Sequence, residues 1–143
     1  MRRSKHGLMI KQLSVDTPGQ GLHDITSEVA SLVRKAGIGE GLCTLFLRHT
    51  SASLVIQENA DPTAKSDLER WLKRLVPEGD PFYEHDAEGP DDMPSHIKAA
   101  LTATSLSIPI LGQKLALGTW QGIYLWEHRR RGSRRELVVH IGE

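Results

Sequence analysis

The stretch that decides the fold is Lys114-Leu115-Ala116-Leu117-Gly118-Thr119-Trp120-Gln121-Gly122-Ile123-Tyr124-Leu125-Trp126-Glu127-His128. In an extended chain, one face carries the aromatic residues Trp120, Tyr124 and Trp126. The other face carries Gln121, Ile123, Leu125 and Glu127. This alternation predicts one long strand over residues 114–128, with a bulge at Gly118. We expect one face of the strand in the core and the other in an interface.

The segments that flank this strand predict a mixture of strands and helices. Further strands are predicted over residues 8–15, 42–49, 51–56, 106–110 and 136–141. Helices are predicted from about residue 26 to 36, from 62 to 76 and from 94 to 102, with Asp61 as an N-cap and Gly37 after a helix end. Breaker residues predict a loop over 16–21, and arginines predict a basic turn over 129–135. This order predicts an α+β fold in one domain, residues 8–143, in which helices cover a largely antiparallel sheet or sandwich, after a flexible tail of residues 1–7.

Length, charge and cysteine count exclude several classes of protein. The chain has 143 residues, with 18 Lys and Arg against 18 Asp and Glu, and one cysteine. Zero net charge argues against a general nucleic-acid binder, and one cysteine excludes an internal disulfide framework. No stretch approaches about 20 apolar residues, so no membrane span is predicted. Because no apolar signal-peptide core follows the basic N-terminus, we expect a cytoplasmic protein.

Four of the seven histidines lie in polar settings that are typical of functional sites: His49, His85, His96 and His128. Neutral imidazole is the commonest metal ligand in proteins, and three such nitrogens with a water form a catalytic zinc site. No pair has H-x-x-x-H spacing, so any metal site must be assembled in three dimensions. The alternative is that each is an ordinary surface or hydrogen-bonded histidine.

Hydroxyl and amide side chains suggest anion binding at two further places. Thr50, Ser51 and Ser53 lie at a break between two predicted strands. Their hydroxyl and backbone N–H groups could bind a phosphate, and the alternative is that the segment is an ordinary turn. Residues 118–122 have glycines that allow a ligand or another backbone to approach closely. Glu58 and Asn59 have no structural role that we can name, so a role in a functional site is plausible for both. Asp91 and Asp92 are suited either to capping a helix or to a functional site.

Within the zero net charge, two segments of opposite charge largely offset each other. Residues 78–92 carry seven acids without Lys or Arg, and a structureless loop of this length is usually functional or disordered. The arginines of residues 129–135 suit either a solvated turn or phosphate and RNA binding. Cys43, in an apolar strand, is predicted to be inert packing.

Five segments together resemble one protein family. They are residues 49–53 (HTSAS), 57–61 (QENAD), 88–96 (EGPDDMPSH), 118–122 (GTWQG) and 127–129 (EHR), and the match runs in order from about residue 8 to 143. The chain is identified as a member of the YjbQ family, also labelled secondary thiamine-phosphate synthases. The resemblance implies an α+β fold, a homotrimer, and a metal site near the subunit interfaces. It also implies weak thiamine-phosphate synthase activity, which joins a hydroxymethylpyrimidine diphosphate to a thiazole phosphate and releases pyrophosphate.

With that resemblance, each candidate residue is given a role. The expected metal is zinc, with magnesium as the alternative, and its predicted ligands are His85, His96 and His128. His49 is an alternative ligand or acid–base residue, and Glu58, Asn59 and Asp92 orient water, substrate or a ligand histidine. The phosphate contacts are assigned to Thr50, Ser51, Ser53, Gly118, Thr119, Gln121 and Arg129. A metal-dependent hydrolase of phosphorylated small molecules, and a trimeric metal- or ligand-binding protein, remain as alternatives to the synthase; a nucleic-acid partner is not expected.

Overall fold

A computed structural model describes residues 7–143, so residues 1–6 of the predicted tail lie outside the described part. The described elements run, in chain order, β1 Met9–Asp16, β2 Gly19–Asp24, α1 Thr26–Ala36, β3 Gly41–Leu47, β4 Ala52–Glu58, α2 Pro62–Leu75, α3 Asp92–Leu101, β5 Ser105–Leu111, β6 Lys114–Leu115, β7 Gln121–Arg131 and β8 Arg134–Gly142. None of the described helices is long and apolar enough to cross a bilayer.

The strands form two antiparallel sheets. One has five strands in the order β1-β8-β3-β5-β6, and the other has three in the order β2-β7-β4. Their inner faces enclose the main core together with α1, through residues such as Leu45, Leu125 and Val29. The α+β class with a largely antiparallel sheet is therefore confirmed.

The predicted long strand over residues 114–128 is wrong in one respect. Its first two residues form β6, at the edge of the five-stranded sheet, whereas β7 is the centre of the three-stranded sheet. Between them the chain turns: Gln121 donates its backbone N–H to the Gly118 carbonyl, and Gly118 donates to the Gln121 side chain at 2.7 Å. The glycine expected at a bulge therefore lies where the chain leaves one sheet for the other.

The predicted loop over 16–21 and the basic turn over 129–135 are both shorter than expected. β2 already begins at Gly19, which pairs with Arg131 of β7, so strand pairing overrides the loop-like composition. Only Gly132 and Ser133 separate β7 from β8. A Cβ on Gly132 would lie 1.7 Å from the Thr17 carbonyl oxygen, so this crossing between sheets requires glycine.

The helices agree more closely with their predicted bounds. Asp61 caps α2, accepting the Thr63 N–H at 2.9 Å, and Gly37 ends α1 with a positive φ. α3 begins at Asp92, two residues earlier than predicted.

Both faces of β7 are buried, which corrects the expectation of an interface on one of them. The aromatic face, with Tyr124 and Trp126, packs with Leu72 and Val76 at the C-terminal end of α2. The opposite face, with Ile123 and Leu125, lies in the main core. Polar side chains near the C-terminal end of β7, such as Glu127 and His128, are therefore buried by packed residues on either face of the strand.

Candidate metal centre

Three side chains at the start of α3 and in the preceding loop converge on one point. His85 Nε2 lies 2.9 Å from Asp92 Oδ2, and His96 Nε2 lies 3.1 Å from Asp92 Oδ1. One ligand atom of each residue lies within 4.8 Å of the others, and this is the only such group of three or more found between residues 7 and 143. Two imidazole nitrogens and a carboxylate oxygen are a donor set that binds zinc and similar divalent metals.

The helix places two of these residues together. Asp92 and His96 are four residues apart on α3, so their side chains lie on the same face one turn apart. The sequence carried this signal as D-x-x-x-H, but a search for paired histidines does not find it. His85 comes from the acidic loop, which enters α3 through a turn in which the Asp92 N–H bonds the Gly89 carbonyl.

The hydrogen bond on the far side of His96 fixes its tautomer. Its Nδ1 lies 2.7 Å from the Thr50 carbonyl oxygen, which can only accept, so Nδ1 carries a proton. In the neutral ring Nε2 then presents a lone pair to Asp92. Two acceptors 3.1 Å apart require a proton or a metal ion between them, and a backbone carbonyl on the second nitrogen is typical of metal-binding histidines.

Asp92 is buried yet incompletely satisfied. Its side chain is 2% exposed, and Oδ2 has no hydrogen bond although His85 Nε2 is close, because the geometry at that contact does not suit one. A buried carboxylate oxygen without a partner is costly. A cation held by Asp92 and the two histidines would satisfy it, so the residues present fit a divalent metal.

Arg129 holds the carboxylates in place. Its guanidinium donates to Asp92 Oδ1 at 3.1 Å, to Asp91 Oδ2 at 3.0 Å and to the Glu88 carbonyl at 2.8 Å. Its donors therefore orient α3 and the acidic loop, whereas the resemblance implied a phosphate contact.

His128 and His49 lie elsewhere. His128 is 1% exposed and outside the group of three; its Nε2 lies 2.8 Å from Ser53 Oγ, and burial, with Lys98 nearby, lowers its pKa to about 3. The structure thus brings Asp92, and not His128, together with His85 and His96. His49 accepts the Glu136 N–H at Nε2, and its Nδ1 lies 3.2 Å from Arg135, so both nitrogens are engaged.

A buried ion pair that was not predicted from the sequence supports the loop at residues 48–51. Glu127, fully buried, accepts hydrogen bonds from Arg135 and, at 2.7 Å, from Thr17 Oγ1. Arg135 also donates to the Ser51 carbonyl at 3.2 Å and to its hydroxyl at 3.0 Å. This network positions the Thr50 carbonyl that orients His96. The sequence does carry a signal for this ion pair, because the acidic residue Glu127 alternates with Ile123 and Leu125 on the inward face of β7.

The remaining predicted site residues lie at the other end of the three-stranded sheet. Ala52 pairs with Glu127 near the histidines, whereas Glu58 pairs with Gln121. Six residues of strand separate these pairs, or about 20 Å. Asn59 donates to the Gln121 carbonyl at 3.2 Å, and residues 118–119 lie in the adjoining turn. Within one chain, therefore, the group of Glu58, Asn59 and Gln121 does not come close to the histidines.

The hydroxyls predicted to bind phosphate also differ in availability. Ser53 is bonded to His128, and Ser51 to Arg135, whereas the Thr50 side chain is exposed beside His96 with no recorded partner in residues 7–143. A pocket of about 150 Å³ adjoins the centre and is lined by residues that include Tyr83, His85 and Met93. Of the three hydroxyls, Thr50 alone is exposed and without a hydrogen bond among residues 7–143, although it does not line this pocket.

Comparison with known proteins identifies relatives over nearly the full length. The family described as UPF0047 protein YjbQ-like matches residues 11–143. A UPF0047 protein of Synechocystis is 53% identical over 129 residues, covering 90% of this chain and 88% of the relative; YjbQ of Escherichia coli O157:H7 is 45% identical over 132 residues, covering 92% and 95%. A crystal structure from Sulfolobus solfataricus, described as a YbjQ-like protein of unknown function, superposes with a TM-score of 0.86 at 29% identity, covering 95% of this chain and 98% of that one.

Proposed function

We propose that this chain, which belongs to the UPF0047 family of YjbQ-like proteins, is a metal-dependent hydrolase of phosphorylated small molecules, with the metal held by His85, Asp92 and His96. The observation that carries the proposal is the buried Asp92 carboxylate between two imidazole nitrogens, one of which has its lone pair directed at that carboxylate.

The donor set favours zinc over magnesium. Three protein ligands with two histidines match a catalytic zinc site, which keeps a position open, whereas magnesium prefers oxygen ligands and retained water. When bound, such a metal supplies Lewis-acid stabilisation of charge on phosphate oxygens. The chain's own residues orient this centre: Arg129 holds Asp92, and the Thr50 carbonyl holds His96.

The Thr50 side chain and the pocket beside His85 provide the substrate contacts in this proposal. The exposed Thr50 hydroxyl would donate to a phosphate oxygen, and the pocket would hold the organic part of the ester, which leaves as an alcohol when water replaces it on phosphorus. The engaged nitrogens of His49 make it a positioning residue at the loop, in place of the acid–base role implied by the resemblance.

Thiamine-phosphate synthase activity is the second candidate function. A reaction of two substrates needs two binding places, and the separation of Glu58, Asn59 and Gln121 from the histidines favours such a division. Since the two groups are about 20 Å apart along one sheet, the synthase would require the far group to come from a neighbouring subunit.

A homotrimer, the assembly implied by the resemblance, would supply that neighbour. The outward face of the five-stranded sheet exposes apolar side chains of three strands: Ile10, Leu42, Phe46 and Leu111. Clustered exposed apolar residues are typical of subunit interfaces. In light scattering we expect the mass of three 15.9 kDa chains, reduced to one in a Phe46→Glu variant; a monomeric native chain would contradict this assembly. A cytoplasmic location stays a prediction.

The function is tested by an assay of the zinc-loaded protein against a panel of phosphate monoesters, and in parallel against hydroxymethylpyrimidine diphosphate with thiazole phosphate. We expect inorganic phosphate to be released from a monoester, and we expect EDTA to stop the release. A His96→Gln variant should lose activity, whereas His23→Gln, the same change at a histidine of β2 outside the metal centre, should keep it. Thiamine phosphate as the sole product would replace the hydrolase with the synthase. No product from either panel, or equal activity in EDTA, would refute the metal-dependent enzyme.

A further inference from the structure

A second pocket, separate from the metal centre, lies where α2 and α3 meet the strands β2 and β7. It consists of two neighbouring pockets that share Gln20, Lys73 and Lys98 as lining residues. The larger, of about 340 Å³, is here its outer part, and the smaller, of about 40 Å³ and lined also by Trp126 and His128, its inner part. We call the two together the lysine cleft. The polar and charged side chains that line the lysine cleft include Gln20, Glu69, Lys73, Glu78, Lys98 and Arg130. None of the three metal-centre residues lines it.

Lys98 is the unusual member of the lysine cleft. It is 3% exposed, and within residues 7–143 its side chain has no recorded ion pair or hydrogen bond. Burial lowers the pKa of Lys98, while the nearby carboxylates of Glu78 and Asp91 act in the opposite direction. The ammonium lines the cleft without a hydrogen bond or ion pair of its own in that range of residues, which leaves it available to an anionic ligand there.

The carboxylates near Lys98 are already committed to other groups. Glu78 is bonded to the Arg130 guanidinium, and Asp91 to Arg129. Glu69, on the opposite wall, accepts the Leu22 N–H at 2.7 Å. Each acid is thus held by its own donor.

Further positive charge faces the same space. Lys73 on α2 lines both parts of the lysine cleft and is close enough to Lys98 for the two ammonium groups to repel each other. With Arg130, the cleft has three cationic side chains against the two carboxylates of Glu69 and Glu78, and this excess of positive charge favours an anion. Leu72 and Trp126 in the inner part, with Val76 and Pro77 in the outer part, add an apolar wall.

We propose that the lysine cleft binds the phosphate group of a small phosphorylated ligand, with Lys98 and Lys73 as its ammonium donors. A phosphate monoester carries nearly two negative charges at neutral pH, which matches two lysines, and lysine binds phosphate as a point charge. The apolar wall accommodates the organic part of the ester. The volume of the outer part is within the range of small-molecule sites. This inference goes beyond the proposed function, since it involves different residues and no metal.

The test is calorimetric titration of EDTA-treated protein with inorganic phosphate and with phenyl phosphate at constant ionic strength. We expect both to bind, with phenyl phosphate binding more tightly because of the apolar wall. Lys98→Met should weaken binding about tenfold to hundredfold, the loss expected for one charged hydrogen bond. Lys73→Met should weaken it less, and Lys65→Met, the same change at an exposed position on α2, should leave it unchanged. In the absence of phosphate, Lys98→Met should resist urea at least as well as the native chain.

Several results would overturn the proposal. They are absence of binding to the EDTA-treated native chain, equal binding by Lys98→Met and native protein, and an equal loss in Lys65→Met. Binding that needs the metal would place phosphate at the metal centre, which supports the proposed function while refuting the lysine cleft. If Lys98→Met does not fold, the Lys73→Met and Lys65→Met pair decides, because both positions are exposed: a selective loss in the former supports the cleft and no difference refutes it.

Discussion

An Asp92→Asn variant is expected to lose the metal while keeping the fold. The amide is almost isosteric with the carboxylate, but it removes the negative charge and one strong donor oxygen from the centre. Changes in groups that merely support a metal ligand weaken metal binding about 10- to 100-fold, so loss of the ligand itself should weaken it by at least about 100-fold. Metal content after dialysis against a weak chelator, measured by mass spectrometry, is the direct readout.

The matched control is Asp86→Asn in the same acidic loop. Asp86 is exposed and outside the group of three, so its change should leave metal content unaltered. Circular dichroism should show both variants folded. An Asp92→Asn protein that retains one metal per chain with native affinity would show that the metal lies elsewhere.

The largest loss of stability is expected from Glu127→Gln. The change leaves the Arg135 guanidinium, 5% exposed, without its counter-charge inside the sandwich. Removing one partner of a buried ion pair typically costs about 3–5 kcal/mol, a large share of the 5–15 kcal/mol by which domains are stable. Urea unfolding followed by tryptophan fluorescence should report this loss directly.

Two further variants separate the ion pair from its surroundings. Glu136→Gln removes a carboxylate that meets exposed Arg134 at 3.5 Å and should cost less than about 1 kcal/mol. The double variant Glu127→Leu with Arg135→Met should be more stable than Glu127→Gln alone, because no unpaired charge stays buried. Equal losses in Glu127→Gln and Glu136→Gln would contradict the importance of the buried pair.

The pair should also make stability depend on pH. Burial opposes ionisation of Glu127, but the hydrogen bonds from Arg135 and Thr17 outweigh it and hold the pKa below its usual value of 4.5. A lowered folded-state pKa means that the contribution is fully present above about pH 4.5 and is lost as the pH falls through the folded-state value. Glu127→Gln should remove this part of the acid sensitivity.

The sequence predicts those parts of the fold that depend on local patterns. The Asp61 cap and the Gly37 terminus are set by side chains within a few residues, and both are confirmed. The division of residues 114–128 between two sheets depends on pairing with β5 on one side and β4 on the other, which no local alternation reveals.

The candidate metal centre likewise depends on contacts between residues that are far apart in the sequence, which local patterns do not predict. Motifs found His85, His96 and Asp92, but their grouping depends on the path of the acidic loop and on the Thr50 carbonyl, 46 residues away from His96 in sequence. His128 was a reasonable candidate by composition, yet its neighbour in space is Ser53. Lys98 gave no signal, since its isolation follows from the burial of α3 against β7.

The position of β8 has a consequence for how the chain reaches its native state. β8 lies between β1 and β3 and pairs with β1 over residues 134–141 and with β3 over residues 137–142. The five-stranded sheet is therefore completed only after β8 has been synthesised, and its contacts join residues that are far apart in the sequence, which slows folding. A chain without β8 would leave β1 and β3 with unpaired edges, the kind of surface from which intermolecular aggregation begins.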